Sequence, residues 1–424
     1  MSASRPGLLG DREFLKFWGG QSISLLGSQF TLLALPLTAA ITLHATPAEM
    51  GVLTALQFAP GLVFSLAAGV WLDRTRRRPV LVGTQAASAV VLATVPLAAA
   101  LHLLSIQQLY VVAFLAGTAA SFYAVAQASF IPTLVGRERL VEANARCLTS
   151  STFASLIGPG LAGAAVQLLT APVAIAVDAA SFVAGAASAA WLRVSEPARP
   201  RPEHRHVVGE AIEGLVLLWR QPLVRAITGT LLIANAGGGM AGAVLVLLFV
   251  GQLGLSPAQL GLAYVASSAS SLLGTVVIRP LERRAGLGPV MVLATVLLAI
   301  GVFVRVGAAF SHASLTFPLL VASFVVNGFG LMTYNVPQQA IRQAVIPDRM
   351  LGRTTAGVSL AVNAGGVGAA LAGGLLGQLV GLRWTLVVAA AISALCVLPT
   401  ALSRLGTLRG VPPAADERAA GSLA

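Results

Sequence analysis

Long apolar segments alternate with short polar connections along the whole chain. Each apolar segment is about 20 residues or longer, which is the length that a helix needs to cross a bilayer core of roughly 30 Å. Strand-like alternation is absent, and so is a Gly-x-x-x-x-Gly-Lys-Ser/Thr nucleotide-binding motif. The pattern therefore predicts an all-α membrane protein with twelve transmembrane helices. Their predicted ranges are 14–43, 47–71, 79–101, 107–130, 142–169, 171–192, 221–250, 257–278, 287–309, 314–340, 350–379 and 383–403.

The composition supports a membrane protein. Of the 424 residues, 56% are hydrophobic and only 10% are charged, whereas a soluble domain has about 25% charged residues. The net charge of +12 lies in short arginine clusters between apolar segments, so no nucleic-acid partner is expected. Cys147 and Cys396 predict no disulfide framework, and no metal or cofactor is expected.

The distribution of basic residues predicts the orientation. Of the 27 Lys and Arg residues, all except Arg305 and Arg383 lie in alternate connections or at the termini. Because cytoplasmic loops are enriched in Lys and Arg, both termini are expected in the cytoplasm, with the chain in a bacterial inner membrane. Arg305, inside predicted span 9, is expected to extend its side chain to the outer surface.

The two halves of the chain resemble each other at an offset of about 210 residues. The matched segments are Arg137-Glu138-Arg139-Leu140 with Pro347-Asp348-Arg349-Met350, Gly158-Pro-Gly-Leu-Ala-Gly163 with Gly368-Ala-Ala-Leu-Ala-Gly373, and Leu72-Asp73-Arg74 with Leu281-Glu282-Arg283. The repeat predicts a six-span half at 1–193, a cytoplasmic linker at 194–220, a second half at 221–405 and a disordered cytoplasmic tail at 406–424.

The loop between predicted spans 2 and 3 carries a family signature. Its spacing Gly69-x-x-x-Asp73-Arg74, followed by a basic run, resembles the corresponding loop of major facilitator superfamily transporters. The resemblance implies the major facilitator fold, with two six-helix halves related by an axis along the membrane normal. It also implies a cytoplasmic gate formed by Asp73, Arg74 and Arg77, with Arg146 as the pairing arginine. Arg76 departs from the motif, since the family usually has glycine there.

A second motif lies inside predicted span 5. The segment Gly158-Pro159-Gly160, with Gly163, resembles the Gly-Pro motif of exporters of the drug–proton antiporter type. The resemblance implies export and a bent helix; the alternative is a packing interface of small residues. Many such antiporters carry an arginine in span 4, and none occurs here between Gln107 and Phe130. Proton coupling is therefore not inferred from that residue.

Asp178 is the acidic residue in the interior of a predicted span. An ionisable group in hydrocarbon costs several kcal/mol and should face a cavity or a partner. Asp178 is therefore a candidate protonation site or contact for a cationic substrate, with Ser181 on the same helix face. The alternative is a structural hydrogen bond.

Uncharged polar residues in spans 1, 4, 7 and 10 are candidates for the cavity wall, because these spans line the cavity in the superfamily. They are Gln29, Gln127, Asn235, Asn327 and Asn335. The alternative is hydrogen bonding between helices. Three consecutive glycines at 237–239 are expected to loosen span 7.

Together these features predict a secondary active transporter and no enzyme, since no catalytic constellation is visible. Over nearly its full length the chain resembles bacterial drug and siderophore efflux proteins. This implies proton-coupled efflux of lipophilic or amphipathic molecules by alternating access, in a monomer whose partners are its substrate, protons and the bilayer. A proton-coupled importer of a small metabolite and a lipid-moving or sensor protein without coupled transport remain alternatives.

Overall fold

Helices account for almost all of the described chain. The computed structural model describes residues 7–64, 75–194, 196 and 219–413, and those residues contain no strand. The principal helices are α1 (Arg12–Leu37), α2 (Pro47–Phe64), α3 (Arg77–Ala100), α4 (Ile106–Val135), α5 (Leu140–Leu168), α6 (Ala171–Ala190), α7 (Pro222–Val246), α8 (Pro257–Ala285), α9 (Leu287–Phe310), α10 (Ala313–Val345), α11 (Asp348–Leu379) and α12 (Leu382–Ala394), with a short α13 (Val397–Ala401) at the end.

Each predicted span overlaps one of the helices α1 to α12, and the last predicted span also includes α13. Residues 65–71 of the second predicted span lie outside the described residues. In the described part of the chain, ten helices are long and apolar enough to cross a membrane. The two others are α2, which ends where residues 65–74 begin, and α5. The prediction of an all-α multi-pass membrane protein is therefore confirmed.

Several helices continue beyond their apolar segment. Helix α8 ends at Ala285 instead of near residue 278, so that Arg283 and Arg284 lie in its last turn. Cations at a helix C-terminus interact favourably with the helix dipole, and Gly286, with φ +89°, ends the helix. The segment 281–284, predicted as a connection, is therefore helical.

The chain divides into two compact units. The first contains residues 1–44 and 63–205, and the second contains residues 45–62 and 206–424. In the first unit α1 packs on α5 and α6, and α3 packs on α4 and α6. In the second unit the equivalent pairs recur, with α7 on α11 and α12 and α9 on α10 and α12. The same pairing six helices apart confirms the repeated six-helix architecture.

Local features at the start of α2 and α8 also repeat. Thr46 and Glu49 cap α2 reciprocally, because the Thr46 N–H donates to Glu49 Oε2 (2.7 Å) and the Glu49 N–H donates to Thr46 Oγ1 (3.3 Å). Ser256 and Gln259 form the same capping box at α8. Short π-helical segments precede both caps, at Thr38–Thr42 after α1 and at Leu247–Gln252 after α7.

Two placements differ from the sequence expectation. Most of α2 belongs to the second unit, where a Cβ atom at Gly51 would lie 2.7 Å from Gly374 Cα of α11. The predicted tail contacts α9, because the Gly288 N–H donates to the carbonyl of Leu408 at 2.6 Å. Backbone pairing of this kind orders the start of the tail. The predicted domain boundaries at 193 and 221 stay a prediction.

Candidate functional site

A polar seam runs between α1 and α6 in the first unit. Asp178, on α6, is only 1% exposed, and the Ser181 hydroxyl lies 3.1 Å from Asp178 Oδ1. Gly27 of α1 makes room for both side chains: a Cβ atom there would overlap Ser181 Oγ and lie 2.7 Å from Asp178 Oδ1. Asp178 is thus enclosed by close helix packing, and it forms no ion pair with any described Lys or Arg.

The seam continues toward α3 through two side chains that sequence reasoning did not select. Ser24 Oγ donates to the carbonyl of Ser181 at 3.3 Å and lies 3.4 Å from Gln85 Oε1. Ser24 and Gln85 are both buried, and a Cβ atom at Gly185 would overlap Ser24 Oγ. The sequence signal for this seam was the spacing along α6, because Asp178, Ser181 and Gly185 lie on one face of that helix.

The Gly-Pro motif lies on α5, which stays helical through Pro159. Gly158 is buried, and a Cβ atom there would lie 2.5 Å from Gln29 Cγ and 2.6 Å from Gln29 Cβ. Gly158 therefore allows the stem of Gln29, a predicted lining residue on α1, to pass between the helices. Pro159 and Gly163 are buried, and Gly160 is half-buried on the same helix.

In the second unit, a cavity of about 230 Å³ lies among α7, α9, α10, α12 and the end of α2. It is lined by two of the five predicted lining residues, Asn235 and Asn327, and also by Arg305. Gln127 on α4 and Asn335 on α10 are half-buried and are not part of this wall.

Arg305 lies elsewhere than expected. Arg305 belongs to α9, and its side chain is buried, with 8% exposure, instead of reaching the surface. Nε donates to Ser323 Oγ at 3.3 Å, and Cζ lies 4.6 Å from the centre of the Phe324 ring. These partners on α10 hold the guanidinium inside the unit. Hydropathy could identify Arg305 as an unusual charge in an apolar segment, but it could not predict the direction in which the side chain points.

The three glycines at 237–239 face three different surroundings. A Cβ atom at Gly237 would overlap Ser393 Oγ of α12, and one at Gly239 would lie 2.9 Å from the carbonyl oxygen of Gly366 on α11. Gly238 lines the cavity, and a Cβ atom there would meet nothing within 4 Å. Helix α7 remains regular there, so Gly237 and Gly239 serve close packing.

The predicted gate is described only in part, because Asp73 and Arg74 lie outside the described residues. The backbone N–H groups of Arg77 and Arg78, each at 2.7 Å, donate to the two carboxylate oxygens of Glu196. Glu196, from the predicted linker, thereby satisfies the free N-terminus of α3. The Arg77 guanidinium is largely buried and donates to Thr133 Oγ1 at 3.1 Å.

Arg146, the predicted pairing arginine, forms an ion pair within its own helix. Its Nη2 lies 2.9 Å from Glu142 Oε1, one turn earlier on α5. Trp18 Nε1 donates to the Arg146 carbonyl at 3.2 Å and so joins α1 to α5. In the described residues Arg146 therefore belongs to the α1–α5 contact.

The sequence profile of the Major Facilitator Superfamily matches residues 17–241 and 227–422. The chain belongs to the Major Facilitator Superfamily. The two consecutive matches correspond to the two repeated halves, which confirms the predicted fold. A major facilitator protein is a transporter, and the predicted transport function and non-enzymatic character are confirmed at this level.

Among the relatives of this major facilitator protein are enterobactin exporters. The enterobactin exporter EntS of Escherichia coli is 29% identical over 364 residues, which cover 84% of this chain and 82% of the relative. The enterobactin exporter EntS of Escherichia fergusonii matches with the same identity and coverage.

Solved structures of major facilitator proteins share the fold. The nucleoside transporter NupG has a TM-score of 0.72 and 14% identity, covering 92% of this chain and 98% of that chain. A bacterial homologue of the iron transporter ferroportin, in its inward-facing state, has a TM-score of 0.71 and 18% identity, covering 93% and 98%. At such identities the likeness concerns the fold.

The role of Gly158 in this major facilitator chain can be tested by Gly158→Ala. The added methyl would meet the first two side-chain carbons of Gln29, which have little freedom to move, so we expect about 1–3 kcal/mol of destabilisation. Thermal unfolding of the purified protein in detergent measures the change. Gly83→Ala is the control, because a Cβ atom added at this helical glycine would meet no atom of another helix within 4 Å, and it should keep full stability. Equal melting temperatures for both variants would contradict the assigned role.

Proposed function

We propose that the chain is a proton-coupled exporter of lipophilic or amphipathic small molecules, including siderophore-like compounds, that works by alternating access. The observation that carries the proposal is Asp178. Its carboxyl group is 1% exposed in a membrane helix, and no described Lys or Arg forms an ion pair with it. A buried carboxyl without an ionic partner is costly while it carries charge, so the gain or loss of a proton there can be coupled to a conformational change.

The similarity to enterobactin exporters supports the direction and the substrate class. It covers more than four-fifths of both chains, so it extends over both repeated halves. The Gly-Pro motif on α5, with Gly158 packed on Gln29, is consistent with export. The proposal places both termini in the cytoplasm, because the arginine clusters lie in alternate connections.

The remaining site residues take their roles within this proposal. Asp73, Arg74, Arg77 and Arg146 would form the cytoplasmic gate. The amide side chains Gln29, Gln127, Asn235, Asn327 and Asn335 would line the substrate pathway. The transporter would act as a monomer in the inner membrane.

Transport by everted membrane vesicles tests coupling and direction together. The vesicles come from an efflux-deficient bacterium expressing the chain, their cytoplasmic face is outward, and the probes are Hoechst 33342 and enterobactin. We expect at least one probe to accumulate inside when respiration acidifies the interior, and a protonophore to abolish the accumulation.

Two outcomes would contradict the proposal. Gradient-driven accumulation in right-side-out vesicles but not in everted ones would indicate an importer. Accumulation that is unchanged by the protonophore would indicate transport without proton coupling. Vesicles from cells with the empty vector give the background.

A further inference from the structure

Arg305 is a buried cation without an anionic partner among the described residues. It is 8% exposed, lies within the membrane helix α9, and lines the cavity in the second unit. Within the described residues its hydrogen bonding is limited to the Nε–Ser323 contact, and no carboxylate lies within salt-bridge distance. Both Nη groups therefore keep their donors free of described protein acceptors.

The groups around Arg305 are neutral. Phe324 stacks its ring 4.6 Å from Cζ, and Tyr264 packs edge-on against Phe324 with ring centres 4.8 Å apart. The aromatic contact weakly stabilises a cation but does not neutralise it. A charge removed from water is unfavourable unless it is paired, so the arrangement favours an anion that arrives through the cavity.

We propose that this cavity binds an anionic oxygen group, a carboxylate or a phenolate, of the transported molecule, with Arg305 as its charged partner. The proposal rests on the transport function proposed above and specifies the substrate class. A guanidinium presents two parallel N–H donors, which match a carboxylate better than a single point charge does.

The rest of the wall indicates what carries the anion. Phe58, Leu298, Val302 and Leu331 provide apolar surface, while Asn235 and Asn327 offer amide groups. A cavity of about 230 Å³ accommodates a small aromatic acid or one arm of a larger molecule. The substrate is therefore an organic anion with an apolar, preferably aromatic, body.

Binding of a matched pair of probes tests the proposal. The full chain is purified in lipid nanodiscs, and calorimetry measures the affinity for 2-naphthoate and for its neutral amide, 2-naphthamide. We expect the wild type to prefer 2-naphthoate, and Arg305→Gln to weaken 2-naphthoate binding about tenfold or more and to remove the preference. Arg305→Lys should retain part of it.

Arg383→Gln is the matched control. Arg383 also lies over a phenyl ring in this unit, 5.6 Å from the centre of Phe310, but it does not line the cavity. Its replacement should leave both affinities unchanged. Equal affinity of the wild type for the two probes, binding of neither, or unchanged 2-naphthoate binding by Arg305→Gln would overturn the proposal.

A second variant covers the possibility that Arg305→Gln does not fold. Gly238→Leu fills the cavity from α7, where the space beside the glycine is open, and keeps Arg305. It should abolish 2-naphthoate binding, whereas Gly83→Leu, at an open glycine of α3, should not. Persistent binding in a folded Gly238→Leu protein would refute the assigned site.

This test is independent of the transport test. Binding in nanodiscs requires no proton gradient and has no direction. If vesicle export fails but Arg305-dependent binding persists, only the proposed function is wrong. If export of a probe succeeds while 2-naphthoate binding does not depend on Arg305, only the anion site is wrong.

Discussion

Replacing Asp178 with asparagine is expected to abolish proton-driven accumulation of substrate while the protein stays folded. Asparagine has nearly the same shape and can still pair with Ser181, whose hydroxyl lies 3.1 Å from Asp178 Oδ1. It cannot bind and release a proton. In everted vesicles we expect uptake to fall by on the order of tenfold or more, because the carboxyl at this buried position would be the coupling group.

Substrate exchange separates a coupling defect from a structural one. Counterflow of labelled against unlabelled substrate needs no net proton movement, so Asp178→Asn should retain it. Asp11→Asn is the matched control, because Asp11 caps α1 and pairs with Arg139 at 3.2 Å, and asparagine also serves as an N-cap. Full gradient-driven transport by Asp178→Asn would exclude the proton role, and loss of both transport and counterflow would indicate a structural role.

Gly328→Ala is expected to destabilise the second unit strongly. A Cβ atom at Gly328 of α10 would overlap the backbone carbonyl oxygen of Ser267 on α8 and lie 2.9 Å from the adjacent carbonyl carbon. Backbone atoms cannot rotate away as a side chain can, so the two helices must separate. We expect a loss of about 1–3 kcal/mol or more.

The separation should also disturb the cavity. Ser270 Oγ donates to the Val325 carbonyl at 2.6 Å and Ser271 Oγ to the Gly328 carbonyl at 2.9 Å, and both bonds join α8 to α10. Phe324, which faces Arg305, belongs to this contact. Thermal unfolding in detergent measures the loss, with Gly307→Ala in α9 as a control because an added Cβ atom there would meet no atom of another helix within 4 Å. A melting temperature equal to that of the control would show that the helices adjust without cost.

The buried polar groups of the two units differ in kind. In the first unit Asp178 lies in a seam where α1 and α6 approach through Gly27 and Gly185. In the second unit Arg305 faces open volume bordered by asparagine side chains. A carboxylic acid in a tight helix interface suits proton binding, since a proton needs no room. A cationic side chain beside a cavity suits the binding of an organic anion.

The sequence by itself determined the membrane class, the places of α1 to α12, the repeat and the family. These properties depend on hydropathy and on local spacing, which are carried by consecutive residues. The predicted ends were less accurate, as at α8, because this helix continues past its apolar segment, with arginines in its last turn and a glycine that ends it. Asp178 was recognisable for the same local reason, as an acid within an apolar segment.

Only the tertiary structure decided what these residues contact. Hydropathy cannot distinguish an arginine that reaches the membrane surface from one held inward, and the contacts of Arg305 with Ser323 and Phe324 join residues of α9 and α10. The partners of Gly27 and Gly158 likewise lie on other helices. Which small residue admits which side chain depends on how neighbouring helices are rotated and crossed, and that geometry arises only when the helices pack together.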